Sequence, residues 1–176
     1  MALSKLILPS GSVLQVQHTQ VTARSSTAAM GVSATVDVPP MNVSITPAAT
    51  SNKIKIEVSM IGEFTLQTTH NVMFWLKRTI GGTTTELRAP ADVSSNSRGI
   101  AISTLSLDAN QSSSPEHLSF VYFDEPNTTS QTTYQLVCTN GSQNGTVWRI
   151  NSTVDTTSGQ NYERGISVIC ATEIAG

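Results

Sequence analysis

Along residues 53 to 64, KIKIEVSMIGEF, apolar and polar positions alternate: Ile54, Ile56, Val58 and Met60 against Lys53, Lys55, Glu57 and Ser59. A period of two predicts a strand with one dry and one wet face. Related runs recur at SVLQVQ (12 to 17), NVSIT (42 to 46), HNVMFWLKRT (70 to 79), IGGTTTEL (80 to 87) and IAISTLSL (100 to 107). HLSFVYFDEP (117 to 126), TTYQLVCT (132 to 139), TVWRINST (146 to 153) and ISVICATEI (166 to 174) complete the series. Residues 22 to 40 read as a loop or a weak helix, then a short strand TVDV closed by Pro39-Pro40. Gly81-Gly82 predicts a hairpin. The Asn-Gly pairs of TNGSQNG predict another, joining 132 to 139 with 146 to 153. The expectation is an all-β domain of about nine or ten antiparallel strands, a sandwich or a closed barrel. It spans 11 to 176, behind an extended arm at 1 to 10 whose Leu6, Ile7 and Leu8 are candidate assembly contacts.

Two strands break the one-dry-face rule. In 70 to 79, Val72, Phe74 and Leu76 mark one face while Met73 and Trp75 make the other apolar. In 117 to 126, Leu118, Phe120 and Tyr122 oppose Ser119, Val121 and Phe123. A sandwich strand has only one inner face, so a second apolar face needs its own cover. Met73, Trp75, Val121 and Phe123 are therefore candidate subunit-interface residues. The alternative is cover by an arm or loop of the same chain.

Composition sharpens this. Charged residues make up 12% of the 176, about half the usual ~25%. The 23 Ser and 24 Thr solvate the surface without charge, which suits a rigid extracellular or virion-surface protein. Net charge is −2, and among ten basic residues only Lys53/Lys55 and Lys77/Arg78 are close pairs. Nucleic acid is excluded as an expected partner, because phosphate binding needs a basic cluster. The longest wholly apolar run, VMFWL at 72 to 76, is too short to span a membrane as a helix. The apolar run after Lys5 is too short for a signal-peptide core. Cys138 and Cys170, in separate predicted strands, are expected to be reduced core residues.

Candidate chemistry is sparse. His18, His70 and His117 stand alone, with no HxH, CxxC or HExxH spacing. Asp124-Glu125, followed by Pro126, reads as a turn at a strand end. No GxSxG elbow and no glycine-rich phosphate loop occurs. Catalytic, metal and cofactor residues are expected to be none. Asn-x-Ser/Thr triplets at Asn42, Asn110, Asn127, Asn140, Asn144 and Asn151 follow from the composition. Trp148 is expected in the core, beside Ile150.

The segments SGSVLQV (10 to 16), VSITPAATSNKIKIEV (43 to 58), FDEPNTTSQTTYQL (123 to 136), GTVWRIN (145 to 151) and ISVICATEIAG (166 to 176) resemble, in order, one family. It comprises virion structural proteins of marine and cyanobacterial phages: tail-fibre, head-fibre and other structural proteins. The RGISV run departs from the family's usual pattern without disturbing the alternation. The resemblance implies a jelly-roll-like β-sandwich, a homotrimer on a virion surface, and no catalytic residues. Only ten residues precede the first strand, so the expectation is a stand-alone capsid decoration, or cement, protein that stabilises the head. Its partners would be its own copies and the major capsid protein or other virion proteins. The alternative is a tail- or head-fibre appendage binding a host surface glycan through the loops at 108 to 116 and 140 to 145.

Overall fold

The alternation at 53 to 64 becomes the axis of one sheet. The computed structural model describes residues 8–65, 72–90, 99–103, 115–141, 146–154 and 163–176. Its strands are β1 (Val13–Val21), β2 (Ser25–Ser26), β3 (Thr35–Ile45), β4 (Lys53–Phe64), β5 (Val72–Ile80) and β6 (Thr83–Leu87). β7 (Ile102–Ser103), β8 (Glu116–Asp124), β9 (Thr132–Asn140), β10 (Trp148–Ile150) and β11 (Ser167–Ile174) follow. Of the predicted arm, Leu6 and Ile7 lie outside the described residues, and Leu8 is exposed.

Two antiparallel sheets face each other. In the first, β4 pairs β8 along one edge and β11 along the other, with β1 beyond β11; β10 and β2 extend the sheet past the end of β11. The second runs β3-β9-β5-β6, with β7 also on β5. The pairs β1/β11, β3/β9, β4/β8 and β5/β6 nest like a long hairpin folded over on itself. That wiring is a jelly roll. The all-β sandwich read from strand spacing is the fold observed.

Both inner faces supply the core. Ile54, Ile56, Val58 and Met60 of β4 are each at most 2% exposed, as the alternation requires. They meet Phe74, Leu76, Tyr134 and Leu136 of the second sheet in one cluster. At its centre Trp148 lies 4.4 Å from Phe64 and 5.7 Å from Phe74, centroid to centroid. Gly62 makes this possible: a Cβ there would sit 2.2 Å from the Arg149 carbonyl and 2.6 Å from Trp148 Cε2.

Three local readings change. The segment 22 to 40 contains no helix; β2 is its first strand, and Met30 is fully buried. TVDV and NVSIT are one strand, β3, with a bulge between Asp37 and Asn42. Pro39 and Pro40 lack amide hydrogens for the ladder there, and the Gln135 side chain instead donates to the carbonyls of Val38 (2.7 Å) and Met41 (3.1 Å). The Gly81-Gly82 hairpin forms, both residues at positive φ. The Asn-Gly hairpin does not, since β9 belongs to the second sheet and β10 to the first. The strands before and after it therefore are not hydrogen-bonded partners, and the second Asn-Gly pair, 144 to 145, lies outside the described residues.

Candidate functional site

The four predicted interface residues fall into two environments. Met73 and Trp75 point outward from β5 and, with Val137 of β9, form a small second cluster. Ile100 and Ala101 of the same chain pack over it. Trp75 is only 3% exposed, and the Arg88 guanidinium lies 4.7 Å above its ring. Arg88 is itself held by Glu86 and by the Gly99 carbonyl. The chain supplies this cover from its own segment, the alternative that the pattern left open.

Val121 and Phe123 are different. They leave the outer face of β8, opposite Glu57 and Lys55, and are 51% and 59% exposed. The register extends this face across β11 and β1, so that Thr172 and Val16 lie in line with Lys55 and Phe123. Val16 and Val13 are also exposed. Simple alternation misses Val13, because a bulge between Val13 and Gln15 resets the phase of β1. Charges on this face are neutralised within it: Lys53 pairs Glu125 at 2.8 Å and Lys55 pairs Glu57 at 2.9 Å. Hydrogen bonding and charge attraction from Lys53 hold the Glu125 carboxyl below the usual range. Between the charged strip and Val121 runs a shallow groove of about 430 Å³, bordered by Ser59, Ser119, Val168 and Cys170.

Cys170 thus lies on the outer face, half-buried, and not in the core as expected; the inward positions of β11 are taken by Ile169 and Ala171. Cys138 is buried in the second sheet, and burial drives its thiol well above the ordinary range. Both are free thiols.

The acidic pair divides between the two sides of its strand. Glu125 stays outside with Lys53, while Asp124 turns inward and accepts from Arg78 Nη1 (2.8 and 3.0 Å) and from the Tyr134 hydroxyl (2.7 Å). Arg78 and Tyr134 are register partners in the second sheet, so Asp124 clasps one sheet to the other. Burial, then the Asp124 charge beside it, hold the Tyr134 phenol far above its ordinary range. A second buried carboxylate, Glu173, accepts from Gln15 Nε2 (2.5 Å), the Ala48 amide (2.6 Å) and Asn52 Nδ2 (2.6 Å). Both acids are fully engaged in structural bonds.

No protein-family model matches this chain, and neither does any curated protein. Among solved structures it is similar to a structure of infectious bursal disease virus, Gx strain, at 13% identity and TM-score 0.38. It is also similar to the VP2 subviral particle of the same virus, at 11% identity and TM-score 0.38. Each match covers 99% of this chain, which spans 46% of the length of either of those chains.

The remaining candidates are dispersed. His18 and His117 stand on β1 and β8, two strands apart from each other across β11 and β4; His117 Nε2 is bonded to Ser59 Oγ at 3.0 Å. His70 lies outside the described residues. Among the described residues no three His, Cys, Asp or Glu side chains converge as metal ligands. Asn140 and Asn151, both in glycosylation triplets, are fully buried. Asn151 Nδ2 donates to the carbonyls of Val21 and Ala23, so this side chain is structural. The loop at 108 to 116 falls outside the described residues up to position 114, and that at 140 to 145 does so from 142.

Proposed function

We propose that this protein is a structural component of a phage virion, a jelly-roll subunit that forms homotrimers and decorates the capsid, cementing neighbouring capsid subunits. Its work is adhesion, not catalysis. The observation that carries the reading is the bare outer face of the first sheet, where Val121 and Phe123 stand exposed beside self-neutralised charges. Such a surface suits packing against another apolar, uncharged face. The buried carboxylates Asp124, Glu173 and Glu63 accept structural hydrogen bonds, and the order of sequence motifs resembles phage virion proteins.

The test is assembly. Wild-type protein is expected to sediment as a trimer, and Phe123→Glu as a folded monomer, because charge on an apolar contact removes its anchor. A wild-type chain that sediments as a monomer at high concentration would reject self-assembly. Copy number in purified particles then separates locations: hundreds of chains per virion for a decoration, tens or fewer for a tail or head appendage that binds a host receptor.

A further inference from the structure

A pocket at the far end of the first sheet is built from residues that neither the core nor the proposed assembly face uses. β10 alternates, with Trp148 and Ile150 fully buried, so Arg149 between them projects to the outside. It is the register partner of Ser26 on β2, and Arg24 immediately precedes that strand. Asn151 then adopts a left-handed conformation (φ 58°) and turns the chain. The turn brings Ser152 and Val154 alongside. Arg24, Ser25, Ser26, Arg149, Ser152 and Val154 together line a pocket of about 270 Å³.

The charge pattern singles out this place. Of the eight described basic side chains, Lys53, Lys55, Lys77, Arg78 and Arg88 are each paired with a carboxylate. Arg24, Arg149 and Arg164 form no ion pair among the described residues, and two of those three converge here. Glu63 is the register neighbour of Arg149, but it is 2% exposed and takes the Val154 amide at 2.5 Å. Hydroxyls surround the two cations. Ser25 Oγ is buried without a hydrogen-bond partner, and Ser152, only 3% exposed, lines the same pocket. Two guanidinium groups without a carboxylate partner, with serine hydroxyls between them, present a set of donors that an oxyanion can satisfy together.

We propose that this pocket is an oxyanion-binding site for a carboxylate, sulfate or phosphate group, held by Arg24 and Arg149 and oriented by Ser25, Ser26 and Ser152. It is independent of the assembly face and of where on a particle the protein sits.

The experiment is a titration of the isotope-labelled full chain with sodium sulfate, sodium phosphate and sodium glucuronate, at ionic strength fixed with chloride. Saturable amide shifts confined to 24–26 and 149–154 are expected. Glucuronate binding more tightly than either inorganic anion assigns an acidic saccharide as the ligand; equal affinities assign the free anion. Arg24→Gln and Arg149→Gln, both at exposed positions, should each weaken binding roughly tenfold or more, as loss of charge-assisted bonds does. The corresponding Lys variants should retain part of the affinity, and thermal melts confirm that all four variants fold. Shifts that merely follow chloride, or affinities unchanged in both Gln variants, overturn the assignment.

Discussion

The outer faces of β5 and β8 carry the same pattern and meet different fates. Each strand is apolar on both sides. On β5 the outer residues Met73 and Trp75 are roofed by Ile100 and Ala101, and Arg88 lies across the indole. On β8 the outer residues Val121 and Phe123 receive no such cover among the described residues. A two-faced strand announces that something must cover it, without saying whether the cover is the chain itself. That decision rests on whether a connecting segment passes overhead, which is a matter of topology.

The contrast predicts a separation of phenotypes, largest first. Trp75→Ala should cost about 3–5 kcal/mol of folding stability, the range for emptying a buried aromatic site. Phe123→Ala should change the stability of the monomer by less than about 0.5 kcal/mol while weakening self-association. Urea unfolding at dilute protein, set beside sedimentation, measures both. If Phe123→Ala destabilises the monomer as much as Trp75→Ala does, the two faces are equivalent and the distinction fails.

Next in size is the clasp that keeps those faces on opposite sides of one core. Asp124→Ala leaves Arg78 without its carboxylate in a site where the pair's side chains are 19% and 7% exposed, and should cost about 3 kcal/mol. A loss below about 1 kcal/mol would show that the sheets hold together by apolar packing alone.

Alkali should loosen the same region. The Cys138 thiol and Tyr134 phenol are held above their ordinary values of 9.0 and 10.0, so both stay neutral in the fold where an unfolded chain would ionise. Their stabilising effect is complete below pH 9.0 and declines as pH rises through 9.0 and 10.0 toward the folded values. Urea midpoints should therefore fall steadily on the alkaline side, and Tyr134→Phe should flatten part of that slope. An unaltered slope in Tyr134→Phe would place the alkaline sensitivity elsewhere.

Smallest is the effect of Lys53→Ala on the bare face. The ion pair with Glu125 is exposed, 52% and 63% by side chain, so the melting temperature should hold. The Glu125 carboxyl should return to its ordinary titration range, read by NMR. A marked drop in melting temperature would mean that this strip is more than a neutral border.

Much of the fold was legible because strand alternation reports which face is dry. The β4 core residues, the Gly81-Gly82 hairpin and the two-faced strands could all be read that way. The failures share a cause. The Asn-Gly pairs carry the chemistry of a tight turn, but tertiary pairing sent β9 and β10 to opposite sheets. Cys170 looked like core because thiols usually are, whereas the phase of β11 is set by Ile169 and Ala171. Arg24 and Arg149 meet across 125 positions of sequence, a distance no spacing rule spans, and only the short β2–β10 ladder brings them together.

The placement of β11 has a consequence in time. It lies between β1 and β4, hydrogen-bonded to both, so the first sheet stays split until residues 167 to 174 arrive to fill the gap. Until then two long strands present open edges, each a template for a stray copy. Register partners as distant as Val13 and Ile174 must find each other before the sandwich closes, the kind of non-local pairing that slows folding. The interval before that strand slots home is when exposed edges leave the chain open to pairing with a stray copy.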